Sequence, residues 1–231
     1  MNKTKTPNKL QSESPQLFRN QALEKLTHTH IAVPISIFIL FSLFLLSLAF
    51  AYTPLGTLTI LLLFLAGIFS FTLVEYLMHR YLYHIHSAYN KKIRRLQYLM
   101  HGVHHEFPKD KSRLAMPPVL SVGIALLLLS CTYMVMHKYA LAFLPGFIMG
   151  YTIYIFIHYS IHAYPPPKNK LRILWKHHSI HHYRDPEKAF GVSSPLWDYV
   201  FGTMPERKYL KNINNSAKIL LITGKGIFSN P

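Results

Sequence analysis

Four of the six residues in "HHSIHH" (177–182) are histidine, and similar crowding recurs upstream in "HRYLYH" (79–84), "HGVHH" (101–105) and "HYSIH" (158–162). The chain holds 15 histidines in 231 residues, and 12 of them fall in 79–105 or 158–182. Residues three and four apart share one face of a helix. His101, His104 and His105 have that spacing, as do His158 and His162. In 177–182 two registers compete: His177 with His181, or His178 with His181 and His182. The second repeats the HxxHH spacing of 101–105 and is preferred, which leaves His177 on the outer side, solvated or supporting its neighbours. His79 and His84 are five apart, roughly 140° around an ideal helix. They converge only where the helix is distorted or ends, and His86 is better in phase with His79. Spacing alone leaves His84 and His86 open.

An imidazole has a polar edge that is costly to bury without a partner, and neutral imidazole is the commonest metal ligand. A histidine pH sensor explains ionisation but not a repeated HxxHH. About ten ligands exceed the roughly four to six that one transition-metal ion takes, so two ions are expected. Only nine residues are acidic, and of these Glu75, Glu106, Asp185, Glu187 and Asp198 lie near the histidines in sequence. The carboxylate-rich pattern of soluble di-iron bundles is absent. Glu106 and Asp185 are the candidates for carboxylates that accept an imidazole N–H and so raise ligand basicity. A zinc hydrolase uses three ligands and an open position. Two histidine-bound ions at a membrane surface better suit oxygen activation, because redox-active iron can attack an unactivated C–H bond. No residue stands out as a general acid or base.

Four uncharged runs must position these rings: 31–53, 58–74, 118–136 and 140–157. A membrane span needs roughly 20 apolar residues. The expected fold is therefore all-α, with four transmembrane helices at about 31–53, 57–77, 118–137 and 140–160. Residues 78–117 and 163–205 should form a helical cap holding the metals. Residues 1–30 read as a polar N-terminal segment, 31–205 as one membrane domain and 206–231 as a peripheral tail. No apolar stretch near the start resembles a signal peptide, so the first span is expected to be retained. Pro165 to Pro167 should break the last span's helix. The segment 195–201, "PLWDYVF", fits either the headgroup level or the core of the cap.

Charge orients the spans. Of 25 Lys and Arg, five precede residue 31, eight lie in 78–117 and eleven follow Ala163. Lys138 alone lies in the short link after the third span, and the link after the first span has none. The positive-inside rule puts the basic regions, both termini and the histidines in the cytoplasm of a multi-pass protein, in a bacterial inner membrane or the endoplasmic reticulum. The net charge of +16 is mostly this topology signal, helped by attraction to anionic lipid. It is not read as nucleic-acid binding, since no nucleic-acid motif is present. The single cysteine, Cys131, excludes disulfides, zinc fingers and cysteine-ligated clusters within one chain.

These stretches resemble the membrane-bound fatty acid hydroxylase and sterol desaturase superfamily, and more closely its sphingolipid fatty acid 2-hydroxylase branch. The likeness is carried by "EYLMHRYLYH" (75–84), "HGVHHEFPKDKSRLAMPP" (101–118), "HYSIH" (158–162) and "HHSIHHYRDPEKAFGVSSPLWDYVFGT" (177–203), and with the spans it covers nearly all of 20–205. The resemblance implies that His79, His84, His101, His104, His105, His158, His162, His178, His181 and His182 ligate two metal ions. It thereby selects His84 over His86. It implies iron in the active enzyme, with zinc able to replace it in isolated protein, and hydroxylation at the carbon next to an acyl carbonyl. Some members carry a fused cytochrome b5 domain, for which the first 30 residues are too short. Neither a GxGxxG nor a cysteine set offers a built-in redox site. An external donor is therefore expected, such as a cytochrome b5-like protein or a ferredoxin with its reductase. The rival activities are hydroxylation or desaturation of a sterol or carotenoid ring and, further off, metal transport.

Overall fold

The computed structural model describes residues 13–85, 90–206 and 208–209, and these are helical with no strand. The chain divides into two compact units, Met1–Pro165 and Pro166–Pro231.

The first unit opens with α1 (Gln21–Leu26), whose N-terminal N–H groups at Ala22 and Leu23 donate to the Asn20 side chain. Helix α2 is Ala32–Tyr52 and α3 is Thr57–Leu77. The latter passes straight into a π-helical turn, Met78–Tyr83. Helix α4 (Lys91–Gln97) runs into a second π turn, Tyr98–Gly102, and then α5, Val103–Glu106. Helix α6 (Pro118–Met136) starts on a proline, which lacks only an N–H that would be orphaned there anyway. A short 3-10 segment, His137–Tyr139, leads into α7, Ala140–Ala163.

Among the described residues, three helical stretches are long and apolar enough to cross a membrane: Ala32–Tyr52, Thr57–Tyr83 and Lys111–Ala163. The sequence reading expects four separate spans. The difference lies in the third stretch, 53 residues long, where the His137–Tyr139 turn keeps α6 and α7 in one run of helical structure. That run is not straight. Ala125 shares a core cluster with Ile148, yet 23 residues of straight helix would separate them by about 35 Å. The chain folds back at His137, which takes φ 49°, ψ −131°.

Two glycines set the central packing. A Cβ on Gly67 would lie 2.2 Å from the Phe143 carbonyl oxygen, and one on Gly146 would lie 1.9 Å from that of Phe64. Helices α3 and α7 therefore meet backbone to backbone, as small residues permit between membrane helices. One turn further on, Gly150 faces Phe71. Both partners advance together, so α3 and α7 run parallel, and the same offset brings position 79 level with position 158. Helix α2 runs the other way along α7. Phe38 meets Tyr151 edge-on at 5.4 Å, the Ser42 hydroxyl donates to the Pro145 carbonyl at 3.2 Å, and Ala49 shares a cluster with Ala142. The starts of α2 and α6 and the ends of α3 and α7 thus share one end of the bundle. Outward residues such as Leu40 (66% exposed) and Val135 (80%) are apolar, as contact with hydrocarbon requires.

The second unit contains α8 (Arg172–Tyr183) and α9 (Leu196–Val200), with 184–195 between them. The tail expected at 206–231 lies almost wholly outside the described residues.

Candidate metal centre

His79 lies in the first π turn, and His84 is the residue that ends it, with φ −113°, ψ 48°. A π turn bonds residue i to i+5. Residues five apart then come round to one face, which a regular α-helix forbids. The His79 and His84 rings accordingly lie 5.2 Å apart. His86 lies outside the described residues.

His101 sits in the second π turn and His104 and His105 on α5. The HxxHH does not share one target. His105 lies about 40° round the helix from His101 on one side and His104 about 60° on the other. His101 and His105 join His79 and His84, and one ring nitrogen from each of the four lies within 4.8 Å of the others. His104 turns instead to His158 and His162 at the end of α7, again with nitrogens within 4.8 Å. The first unit therefore contains two imidazole clusters, each able to hold a metal ion. They are bridged by one short segment whose His101 and His104 rings are 5.4 Å apart.

The spacing suits cations. Nε2 of His101 lies 3.0 Å from Nε2 of His79 and 3.0 Å from Nε2 of His105. In the other cluster, Nε2 of His104 and His158 are 3.0 Å apart. Two nitrogens each about 2.1 Å from an ion lie about 3.0 Å apart at a right angle and about 3.4 Å apart at the tetrahedral angle. The observed edge fits a centre with more than four ligands. A hydrogen-bond chain fits less well, because one in-plane lone pair on His101 would have to serve two neighbours.

Protonation points the same way. His101 and His104 are buried. Burial first, and then the adjacent imidazoles, hold both well below the usual histidine range, so they present lone pairs instead of positive N–H groups. Tyr83 stacks on His101 at 4.9 Å and 22°, and Tyr154 on His158 at 5.6 Å and 12°. Each cluster thus has an aromatic wall that limits ring rotation.

The carboxylates are not where sequence adjacency suggests. Glu106 accepts from the Tyr98 hydroxyl at 2.9 Å. Together with burial, the larger cause, this pushes Tyr98 up to about 12. Asp185 accepts from the Glu187 backbone N–H.

In the second unit, α8 presents His177, His178, His181 and His182, all buried. His178 and His182 form a perpendicular pair at 4.5 Å and 70°, much like His101 and His105 at 4.6 Å and 71°. His181 stands apart, 6.0 and 5.8 Å from them. Nδ1 of His181 donates to the Lys188 carbonyl at 2.8 Å, which in a neutral ring puts the lone pair on Nε2. His177 is not solvated: its Nε2 donates to Asp198 at 2.9 Å. Burial alone would raise the Asp198 carboxyl, but the hydrogen bond and charge of His177, with Thr203 and the Gly191 N–H, bring it below the usual range. Sequence reasoning missed Tyr83, Tyr154 and the Lys188 carbonyl. The alternation of tyrosine with histidine in "YLYH" and "YIFIHYSIH" is the only signal that pointed to the first two.

The family model for fatty acid hydroxylase matches residues 64–203. The chain is 37% identical over 144 residues to dihydroceramide fatty acyl 2-hydroxylase FAH2 of Arabidopsis thaliana, covering 60% of this chain and 59% of that protein. It is 37% identical over 153 residues to fatty acid 2-hydroxylase of Macaca fascicularis, covering 64% and 41%. It is 38% identical over 143 residues to the ceramide very long chain fatty acid hydroxylase scs7 of Schizosaccharomyces pombe, covering 61% and 41%. The chain thus spans between 41% and 59% of the length of these curated relatives. A solved structure described as full-length scs7p, with only the hydroxylase domain visible, superposes with a TM-score of 0.74 at 33% identity, covering 80% of this chain and 70% of that one. With its apolar helices, its paired imidazole clusters and this match over more than half its length, the chain belongs to the fatty acid hydroxylase family.

Proposed function

We propose that the protein is an oxygen-dependent membrane hydroxylase that places a hydroxyl at the 2-position of a lipid acyl chain, free or within a ceramide. The observation that carries this reading is the pair of closely packed imidazole clusters at one end of the apolar bundle. An acyl carbonyl end lies at that depth, and mid-chain carbons lie deeper. The relatives named as fatty acid or ceramide 2-hydroxylases support the same position.

In this reading the metal ligands are the ten histidines His79, His84, His101, His104, His105, His158, His162, His178, His181 and His182. The ions are iron in the active enzyme, and zinc binds the same donors. When bound, they supply oxygen activation with electrons from a separate donor protein. The chain's own residues hold the ions, steady His101 and His158 by stacking Tyr83 and Tyr154 on them, and keep the buried His101 and His104 rings unprotonated.

The fold-back at His137 supports four membrane crossings, α2, α3, α6 and α7, because 53 residues of one stretch far exceed a hydrocarbon core of about 30 Å. The positive-inside rule then places the clustered ends and the 78–117 cap in the cytoplasm. A transporter would bind ions near the bilayer midplane on broken helices, and here the rings gather beyond the apolar runs.

The test is lipid mass spectrometry of cells with and without the gene, grown under 18O2. The expected product is a labelled 2-hydroxyacyl lipid. A labelled or unsaturated sterol or carotenoid ring would favour the related ring oxidases, and metal flux without a lipid product would favour transport.

A further inference from the structure

Asp198 is fully buried, and its carboxylate gathers four donors. Oδ1 accepts from the Phe190 N–H at 2.9 Å and the Thr203 hydroxyl at 2.7 Å. Oδ2 accepts from the Gly191 N–H at 2.8 Å and His177 Nε2 at 2.9 Å. No room is left for a bulkier loop, since a Cβ on Gly191 would lie 2.9 Å from Oδ2 and 2.1 Å from the Ser194 carbonyl oxygen. The backbone repeats the closure: the Thr203 N–H donates to the Asp198 carbonyl at 2.8 Å, and the Ala189 N–H donates to the Thr203 carbonyl at 2.9 Å. Ala189 is held at φ 60°, a left-handed conformation that is unfavourable for a non-glycine residue. This bend aims the preceding carbonyl, that of Lys188, at Nδ1 of His181. The loop thus meets α8 at two points one helical turn apart, His177 and His181.

We propose that Asp198 is a positioning residue for the metal centre: through Thr203 and the 189–191 backbone it holds the Lys188 carbonyl on Nδ1 of His181, and so fixes Nε2 as the nitrogen His181 offers a metal. The inference rests on His181 being a ligand, as proposed above. A carboxylate is needed because all four partners are donors. An amide in its place would turn an NH2 group toward two of them. Groups that orient ligating histidines are typically worth about 10–100-fold in metal affinity.

The test uses the full chain in nanodiscs, Asp198→Asn, and Thr203→Val, which deletes one donor while keeping the side-chain shape. Two quantities are read: zinc affinity by competition with a chromophoric chelator, and the His181 tautomer from ring 15N shifts in zinc-free protein. Wild type should show the Nδ1–H tautomer. Asp198→Asn should show mixed tautomers and about 10–100-fold weaker zinc binding, and Thr203→Val should move both in the same direction by less. A purely structural role would lower the unfolding temperature while leaving tautomer and zinc affinity as in wild type, and that result overturns the inference. If Asp198→Asn does not fold, Thr203→Val decides by the same two readouts. Wild-type protein that binds no zinc would remove the proposed metal centre itself, and this inference with it.

Discussion

Gly146→Ala adds one methyl group far from any histidine, yet it should weaken metal binding. Its Cβ would sit 1.9 Å from the carbonyl oxygen of Phe64 and 2.7 Å from the carbonyl carbon. Both are backbone atoms, so no rotamer change relieves the clash. Restoring an ordinary contact requires α3 and α7 to separate locally by about 1.5 Å. Overpacking of this kind typically costs about 1–3 kcal/mol. His79 continues from α3, and His158 and His162 sit on α7, while ligand distances tolerate only about 0.2 Å. Even a fraction of the opening, passed along the helices, exceeds that tolerance. Gly123→Ala is the control, because nothing lies within 4 Å of its Cβ, and alanine favours a helix by up to about 1 kcal/mol over glycine. The same chemical change should thus act in opposite directions. Purified proteins would be compared by helix content, unfolding midpoint and zinc per chain at limiting free zinc. Gly123→Ala should match or exceed wild type, and Gly146→Ala should fall below it in both midpoint and metal. Wild-type affinity in Gly146→Ala would refute the claim that backbone contact between α3 and α7 levels the ligands. Gly67→Ala combined with Gly146→Ala should be less than additive, since both open one contact.

Replacing His104 or His181 with alanine should abolish 2-hydroxylation and lower bound metal; full activity with metal retained would remove those residues from the ligand set. His101 and His104 have folded-state values well below 6.5, so the unfolded chain binds protons that the folded one refuses. Their contribution is therefore complete above about pH 6.5 and is lost as pH falls below it. The unfolding midpoint of metal-free protein should drop between about pH 7 and pH 5, and a flat profile would contradict the depressed values. Tyr83→Phe keeps the ring stacked on His101 and should retain metal, whereas Tyr83→Ala should lose it; equal metal content in the two would show that the stack does not matter.

The long apolar helices were legible because uncharged runs have few other uses. The bounds of α2 and α3, Ala32–Tyr52 and Thr57–Leu77, nearly coincide with the runs. The joining of α6 to α7 was less so, because a three-residue 3-10 turn leaves no break in composition. Four histidine groups were visible from spacing, but their partition was not. HxxHH marks one broad face, and only the 100° between His104 and His105 reveals that they serve different clusters. The π turn that brings His79 to His84 has no sequence signature at this level. Glu106 and Asp185 looked promising only because they lie close to histidines in sequence, and residues close in sequence need not point the same way. Asp198 lies 21 residues from His177, and the Lys188 acceptor is a backbone oxygen, which no residue pattern reports.

One turn of chain, His101 to His105, feeds both clusters. A cation that settles against His101 and His105 also immobilises His104, so the entropy of ordering that segment is lost once and not twice. Loading should consequently be cooperative, with chains holding either no ion or two and few holding one. Half-metallated protein would then be scarce even when metal is limiting, and partial reconstitution would yield a mixture of fully competent and inert molecules.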